Sequence, residues 1–260
     1  MQVTKRSRGR YRSPVTSGAV RRRSEGARAH AVESADPVVP AGRPGWWLMG
    51  VAAVVAVAVS VDLLNGGWLL HLALRVSRLV NGWDLRHGPA YWAVWLFTQL
   101  GGRGFILAVL AVLAGWLAWR RRTLLPVVRV LVALALLTGV IYAFKYGMGR
   151  TAPEYPGSFF HRDGSSFPSG HVANAVLMWG VARWQAVEFG LAPVVQRLFR
   201  VLSLGGPVAA GLAMVALNFH WVTDAVVGGA VGVLLLGVVH TLDALALSLW
   251  VRARAGRDSV

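Results

Sequence analysis

The sequence predicts an all-α protein that crosses a membrane six times, and three observations carry that expectation. The chain of 260 residues is 55% hydrophobic, and its long apolar stretches all lie beyond residue 45. Stretches of that length are bilayer spans. Only 15% of its residues are charged, against roughly a quarter in a soluble domain. The basic residues form a net charge of +16 but sit in a leading tail and at the ends of apolar stretches, which is how a bilayer protein fixes its orientation.

Residues 1–45 are rich in Arg, Ser, Gly and Pro, lack apolar periodicity and contain Lys5-Arg6 and Arg21-Arg22-Arg23. They are expected to be a disordered basic cytoplasmic tail. Glu25, Glu33 and Asp36 within it argue against a transit peptide. The membrane domain is expected over 46–250, with 251–260 a short basic cytoplasmic tail. Its first span runs from Trp46 to Leu64, with Trp46 and Trp47 at the interface. Residues 68–80 are too polar to cross. His71, Arg75 and Arg78 share one helical face there, opposite Leu69, Leu72, Val76 and Leu79, the pattern of an amphipathic helix lying flat on the membrane.

A second apolar stretch builds from Tyr91 and crosses from Arg103 to Trp119, ending at Arg120-Arg121-Arg122. The third span covers Leu124 to Phe144. Residues 145–168 are polar and rich in Gly and Pro, hence a loop. The fourth span covers Ser169 to Val187, the fifth Val201 to Leu217, and the sixth Trp221 to Leu247, long enough to overrun the bilayer. Gly228 and Gly232 form a GxxxG in that last span, a signal for close helix packing inside the monomer.

With the N-terminus in the cytoplasm, six spans leave Arg75, Arg78, Arg86, Arg103, Lys145, Arg150 and Arg162 outside and the rest of the 27 basic residues inside. Five or seven spans would put an arginine cluster on the wrong side. The chain is therefore expected in the cell membrane, multi-pass, with both termini cytoplasmic. The same layout speaks for the lipid bilayer, and against nucleic acid, as the partner of its positive charge. The absence of cysteine removes disulfides and thiolate metal ligands.

Three polar islands interrupt the apolar sequence, and this threading brings all of them to the outer face. They are Lys145-Tyr-Gly-Met-Gly-Arg150-Thr-Ala-Pro153, then Phe167-Pro168-Ser169-Gly170-His171, then His220-Trp-Val-Thr-Asp224. Ionisable groups at membrane depth are costly and mark function by default. Pro168 suits the first turn of a helix and Gly170 lets a backbone N–H approach an anion. Such a helix start presents unpaired N–H groups and a positive dipole end to phosphate. Lys145 adds a point charge and Ser169 a hydroxyl. His220 and Asp224, four apart, share a face if both are helical, so the carboxylate can orient the imidazole. His171 is a second imidazole. Two histidines around a cationic nest supply the attacking group and leaving-group acid that phosphoryl transfer needs. His171, His220 and Asp224 are also metal-ligand types, but Lys145 and Arg150 beside them would repel a cation. Neither a metal nor a cofactor is expected.

The order Lys145…Pro153, Pro168-Ser169-Gly170-His171 and His220-x-x-x-Asp224-x-x-x-Gly228 resembles the type 2 phosphatidic acid phosphatase (PAP2) superfamily over about residues 90–235. That family includes membrane lipid phosphatases, undecaprenyl pyrophosphate phosphatases and, on a soluble scaffold, vanadium haloperoxidases. The resemblance implies a six-helix haloperoxidase-like core and metal-independent hydrolysis of a lipid phosphomonoester or polyprenyl diphosphate, and the threading puts that site at the outer leaflet. It further implies a phosphohistidine on His220, with Asp224 its partner and His171 the leaving-group acid. Lys145, Ser169 and the Gly170 amide would hold phosphate. Two family positions depart. Ala152 stands where an arginine precedes the proline of the first motif, and Ala213-Met214 where Ser-Arg begins the third. Arg150 is the expected substitute for the first arginine, with His161 and Arg162 as further candidate donors. Two other readings remain open: a lipid phosphotransferase using the same site, and a degenerate member that kept the fold without catalysis.

Overall fold

The computed structural model describes residues 42–154 and 159–257. The expected N-terminal tail lies almost wholly outside them, as do residues 258–260. Eight helices are present among the described residues: α1 (Trp46–Leu64), α2 (Trp68–Asn81), α3 (Tyr91–Thr98), α4 (Arg103–Arg121), α5 (Leu125–Met148), α6 (Gly170–Glu188), α7 (Pro193–Ala216) and α8 (Val222–Arg257). Five of them, α1, α4, α5, α7 and α8, are long and apolar enough to cross a membrane. The protein is a multi-pass membrane protein.

The fourth expected span, α6, is the most buried helix, and it packs against α4, α5, α7 and α8. Its 19 residues match those of α1 and α4, about 28 Å at 1.5 Å per residue and close to the bilayer core. It is less apolar than the others because its polar groups face protein. The amide of Asn174 donates to the Gly101 carbonyl at 2.9 Å, Trp179 Nε1 to Leu100 at 2.8 Å, and Gln185 to Pro126 at 3.2 Å. A buried amide in a bilayer is tolerated when it finds such a partner. Small residues let the neighbours close in. A Cβ on Gly232 would come within 2.6 Å of Val176 Cβ, and one on Gly228 within 2.5 Å of the Ser169 carbonyl. The GxxxG therefore seats α8 on α6 inside the monomer.

Several elements differ from expectation. The stretch building from Tyr91 is broken: α3 ends in turns, with Gly101 N–H on Thr98 O at 2.9 Å and Gly102 N–H on Gln99 O at 3.0 Å, so Arg103 starts a new helix. The amphipathic segment forms as α2, but its buried line is Leu70, Ala73 and Val80, while Leu79 is 62% exposed. The helix is rotated because it packs on α1, α7 and α8, and Ser77 Oγ donates to Asn218 Oδ1 at 2.8 Å. Asp62 of α1 accepts from the Leu69 N–H at 2.8 Å, placing a carboxylate at the positive end of α2. Finally, α7 starts at Pro193, eight residues before the expected span, and α8 carries on through 251–257 as helix.

At the end of the bundle away from the polar islands, Arg129 of α5 is 3% exposed. It grips Asp243 of α8 with Nε and Nη2 at 2.7 and 2.8 Å. Glu188 of α6 lies 2.9 Å from its Nη1, and its guanidinium sits 4.0 Å above Trp184. This fork ties three helices together.

Candidate active site

The three islands converge because α5 stops short and the following chain doubles back. Gly149 takes a left-handed conformation (φ 56°) and its N–H caps the Lys145 carbonyl, a conformation open to glycine at low cost. A Cβ there would meet the His161 carbonyl at 2.7 Å. Arg150 and Phe160 form an antiparallel bridge. His161 N–H donates to Gly149 at 2.7 Å, and Ser166 N–H to Arg150 at 2.8 Å. The returning loop thus delivers Ser166 and the start of α6 beside the end of α5. The Ser169 N–H then donates to the Asp224 carbonyl at 2.9 Å, locking the starts of α6 and α8 together.

A cavity of about 710 Å³ opens at this junction. Lys145, Gly170, His171 and His220 line it, together with Arg103, Tyr142, Ala152, Glu154, His161, Asp163 and Ser166. Ser169 and Asp224 stand behind them, both fully buried. Ser169 Oγ has no hydrogen-bond partner among the described residues.

The histidine–carboxylate pair differs from a simple shared helix face. His220 precedes α8 and Asp224 is its third residue, and the Nδ1–Oδ2 distance is 3.4 Å. Ser166 fills the gap, which the sequence reading missed. Its Oγ donates to Asp224 Oδ2 at 2.5 Å and lies 3.2 Å from His220 Nδ1. A serine hydroxyl has one proton and two lone pairs. With that proton directed at the carboxylate, the oxygen can accept from Nδ1–H, the tautomer in which Nε2 of His220 keeps its lone pair.

Arg150 does not reach the cavity, which corrects the expectation that it substitutes for an arginine at 152. It is fully buried, and Nη1 donates to Asp224 Oδ1 at 2.6 Å and Thr223 Oγ1 at 2.7 Å. Its guanidinium carbon lies 5.0 Å above the Trp221 ring. The left-handed turn at Gly149 swings it inward, where Asp224 holds it. Burial draws its pKa below the ordinary arginine value, against the raising pull of Asp224. The other candidate donors separate: His161 lines the cavity, while the Arg162 side chain is 91% exposed beside Asp163. At the rim, Arg86 pairs with Glu154 and lies 4.7 Å above Phe219. Among the described residues no three His, Asp or Glu side chains cluster as metal ligands.

Fold and site together define a polytopic helical membrane protein with a cavity at one end of its bundle that is lined by cations and three histidines. Residues 126–246 match the PAP2 superfamily. It is 29% identical over 150 residues to phosphatidylglycerophosphatase B of Bacillus subtilis (strain 168), covering 56% of this chain and 71% of the relative. The crystal structure of a transmembrane PAP2-type phosphatidylglycerolphosphate phosphatase from Bacillus subtilis superposes with a TM-score of 0.57. That match covers 76% of this chain and 94% of the other at 21% identity, a likeness of fold.

Proposed function

We propose that this protein is a phosphatase that releases phosphate from a membrane lipid through a phosphohistidine on His220. The observation that carries the reading is the set Asp224–Ser166–His220, which leaves Nε2 of His220 nucleophilic in a cavity shared with Lys145 and His171. The PAP2 domain and the likeness to a lipid phosphatase support hydrolysis of a lipid phosphate. Phosphatidylglycerophosphate is therefore the first substrate to try, with phosphatidic acid and a polyprenyl diphosphate beside it.

In this reading the phosphate oxygens lie against Lys145 and the Gly170 amide at the positive start of α6. The Nε2 lone pair attacks phosphorus, forming the N–P bond as the P–O bond to the lipid breaks. His171 gives its proton to the departing oxygen, and the negative phosphate beside it favours the imidazolium form it needs. Asp224, through Ser166, supports the positive charge that His220 acquires. Water then attacks phosphorus, His171 takes the water's proton, the N–P bond breaks, and inorganic phosphate leaves. No step draws on a metal.

The surplus of basic residues at the other end of the bundle supports an outer-leaflet site. Because the chain has no cysteine, Arg162→Cys and Arg252→Cys can each be labelled with an impermeant reagent in intact cells. Labelling at 162 and not at 252 is the expected pattern; the reverse would overturn the sidedness. For the chemistry, purified protein is assayed for phosphate release over the lipid panel with EDTA, with vanadate, and as His220→Ala. Activity is expected to survive EDTA, to be blocked by vanadate and to vanish in the variant. Loss on chelation with recovery on adding a divalent ion would reject the mechanism.

A further inference from the structure

We propose that Arg103 binds the substrate phosphate and supplies the cation that Ala152 and Met214 lack. The inference rests on the phosphatase reading of the cavity, and it comes from a part of the chain that no motif marks. Three observations carry it.

The first is position. Arg103 is the first residue of α4 and lines the same cavity as Lys145, His171 and His220. Its guanidinium carbon stands 5.9 Å from the ring of Tyr142, another lining residue, and its charge acts on both Lys145 and His171.

The second is anchoring. The turn that delivers Arg103 is fastened to α6, the helix that begins with Gly170 and His171. Asn174 holds the Gly101 carbonyl at 2.9 Å and Trp179 holds the Leu100 carbonyl at 2.8 Å, with Asn174 and Trp179 both fully buried. Gly101 packs so closely that a Cβ on it would come within 2.5 Å of the His171 carbonyl. One helix thus fixes the imidazole and, through its neighbours, the start of α4. An arginine that only anchors a helix to headgroups needs no such fastening.

The third is availability. Arg150 is taken by Asp224 and Arg86 by Glu154. Arg103 is exposed, and no carboxylate lies within ion-pair distance of it among the described residues. The positions that depart from the family motif offer nothing in its place. Ala152 lines the cavity without a charge, and Met214 is 3% exposed, its carbonyl accepting from Phe219 and His220. A guanidinium on a bonded turn, with its donors uncommitted, can grip two phosphate oxygens at once.

The test separates binding from turnover. Wild type, Arg103→Ala, Arg103→Lys and, as a control off the cavity, Arg162→Ala are purified in detergent. Orthovanadate binding is measured by calorimetry and phosphate release on the lipid panel, with unfolding temperatures recorded without ligand. Arg103→Ala is expected to keep its unfolding temperature, to bind vanadate at least ten-fold more weakly and to lose roughly a hundred-fold in kcat/KM. Arg103→Lys should recover only part of either loss, and Arg162→Ala should match wild type. Vanadate binding by Arg103→Ala within two-fold of wild type overturns the proposal, whatever the turnover. If wild type binds vanadate but cleaves no lipid phosphate, the phosphatase reading falls, and the binding comparison still decides Arg103. If wild type binds no vanadate, both fall.

Discussion

Two buried arginine–aspartate pairs sit at opposite ends of the bundle, and they are built differently. Arg129 meets Asp243 with two parallel hydrogen bonds and has Glu188 beside it. Each acidic group there serves the arginine. At the cavity end, Arg150 meets Asp224 through Nη1 alone, and the second oxygen of Asp224 is divided among Ser166, the Trp221 amide at 3.2 Å and the more distant His220. The first pair is closed on itself and fastens helices. The second is open toward an imidazole. A carboxylate that is to orient an imidazole cannot give both oxygens to a structural partner, and the open pair fits the role proposed for Asp224.

The largest effect is expected where both roles meet. Asp224→Asn leaves the Arg150 charge buried without its counter-ion and leaves one acceptor oxygen where Arg150 and Ser166 use two. It should cost on the order of 3–5 kcal/mol of stability, and turnover should fall by roughly a thousand-fold or more. Thermal unfolding and phosphate release measure the two separately. Asp243→Asn should show a comparable loss of stability, with Arg129 left against Glu188 alone, while kcat per folded molecule stays within about three-fold. Loss of chemistry in Asp243→Asn would mean the two ends are coupled and the contrast is wrong.

A smaller, more selective effect is expected from Ser166→Ala. Without the relay His220 faces Asp224 only across 3.4 Å, so kcat should drop roughly 10- to 100-fold with KM little changed. The cost in stability should stay near 1–2 kcal/mol, that of one buried hydrogen bond. A kcat equal to wild type would show that the carboxylate orients His220 without help. Arg162→Ala should be the mildest, within about two-fold in kcat/KM, because its side chain is 91% exposed and off the cavity.

The contrast also marks what could be read from residue order. Lys145, Gly170, His171 and His220 all line the cavity where the motifs placed them, because each sits at the point where an apolar run stops. Partition into a bilayer is a local property of composition, and it sets the spans, their ends and hence the meeting of the islands at one face. Gly228 and Gly232 announced the packing of α8, since a missing Cβ has meaning on any helix that must approach another.

Other features had no such local signature. Ser166 is one serine in a polar loop, and its value comes from the fold-back at Gly149 that sets it between Asp224 and His220. Arg103 lies 68 residues before His171 and looks like any basic residue at a helix end. Arg150 carried the right charge at nearly the right spacing, yet a left-handed turn aimed it at a carboxylate and away from the cavity. Hydropathy and motif spacing determined how this chain enters a membrane and which islands meet. Which donor faces the cavity and which is spent on the fold was decided by the tertiary structure, because a side chain's partner depends on the direction its backbone leaves the helix, and that direction is set by contacts distant in sequence.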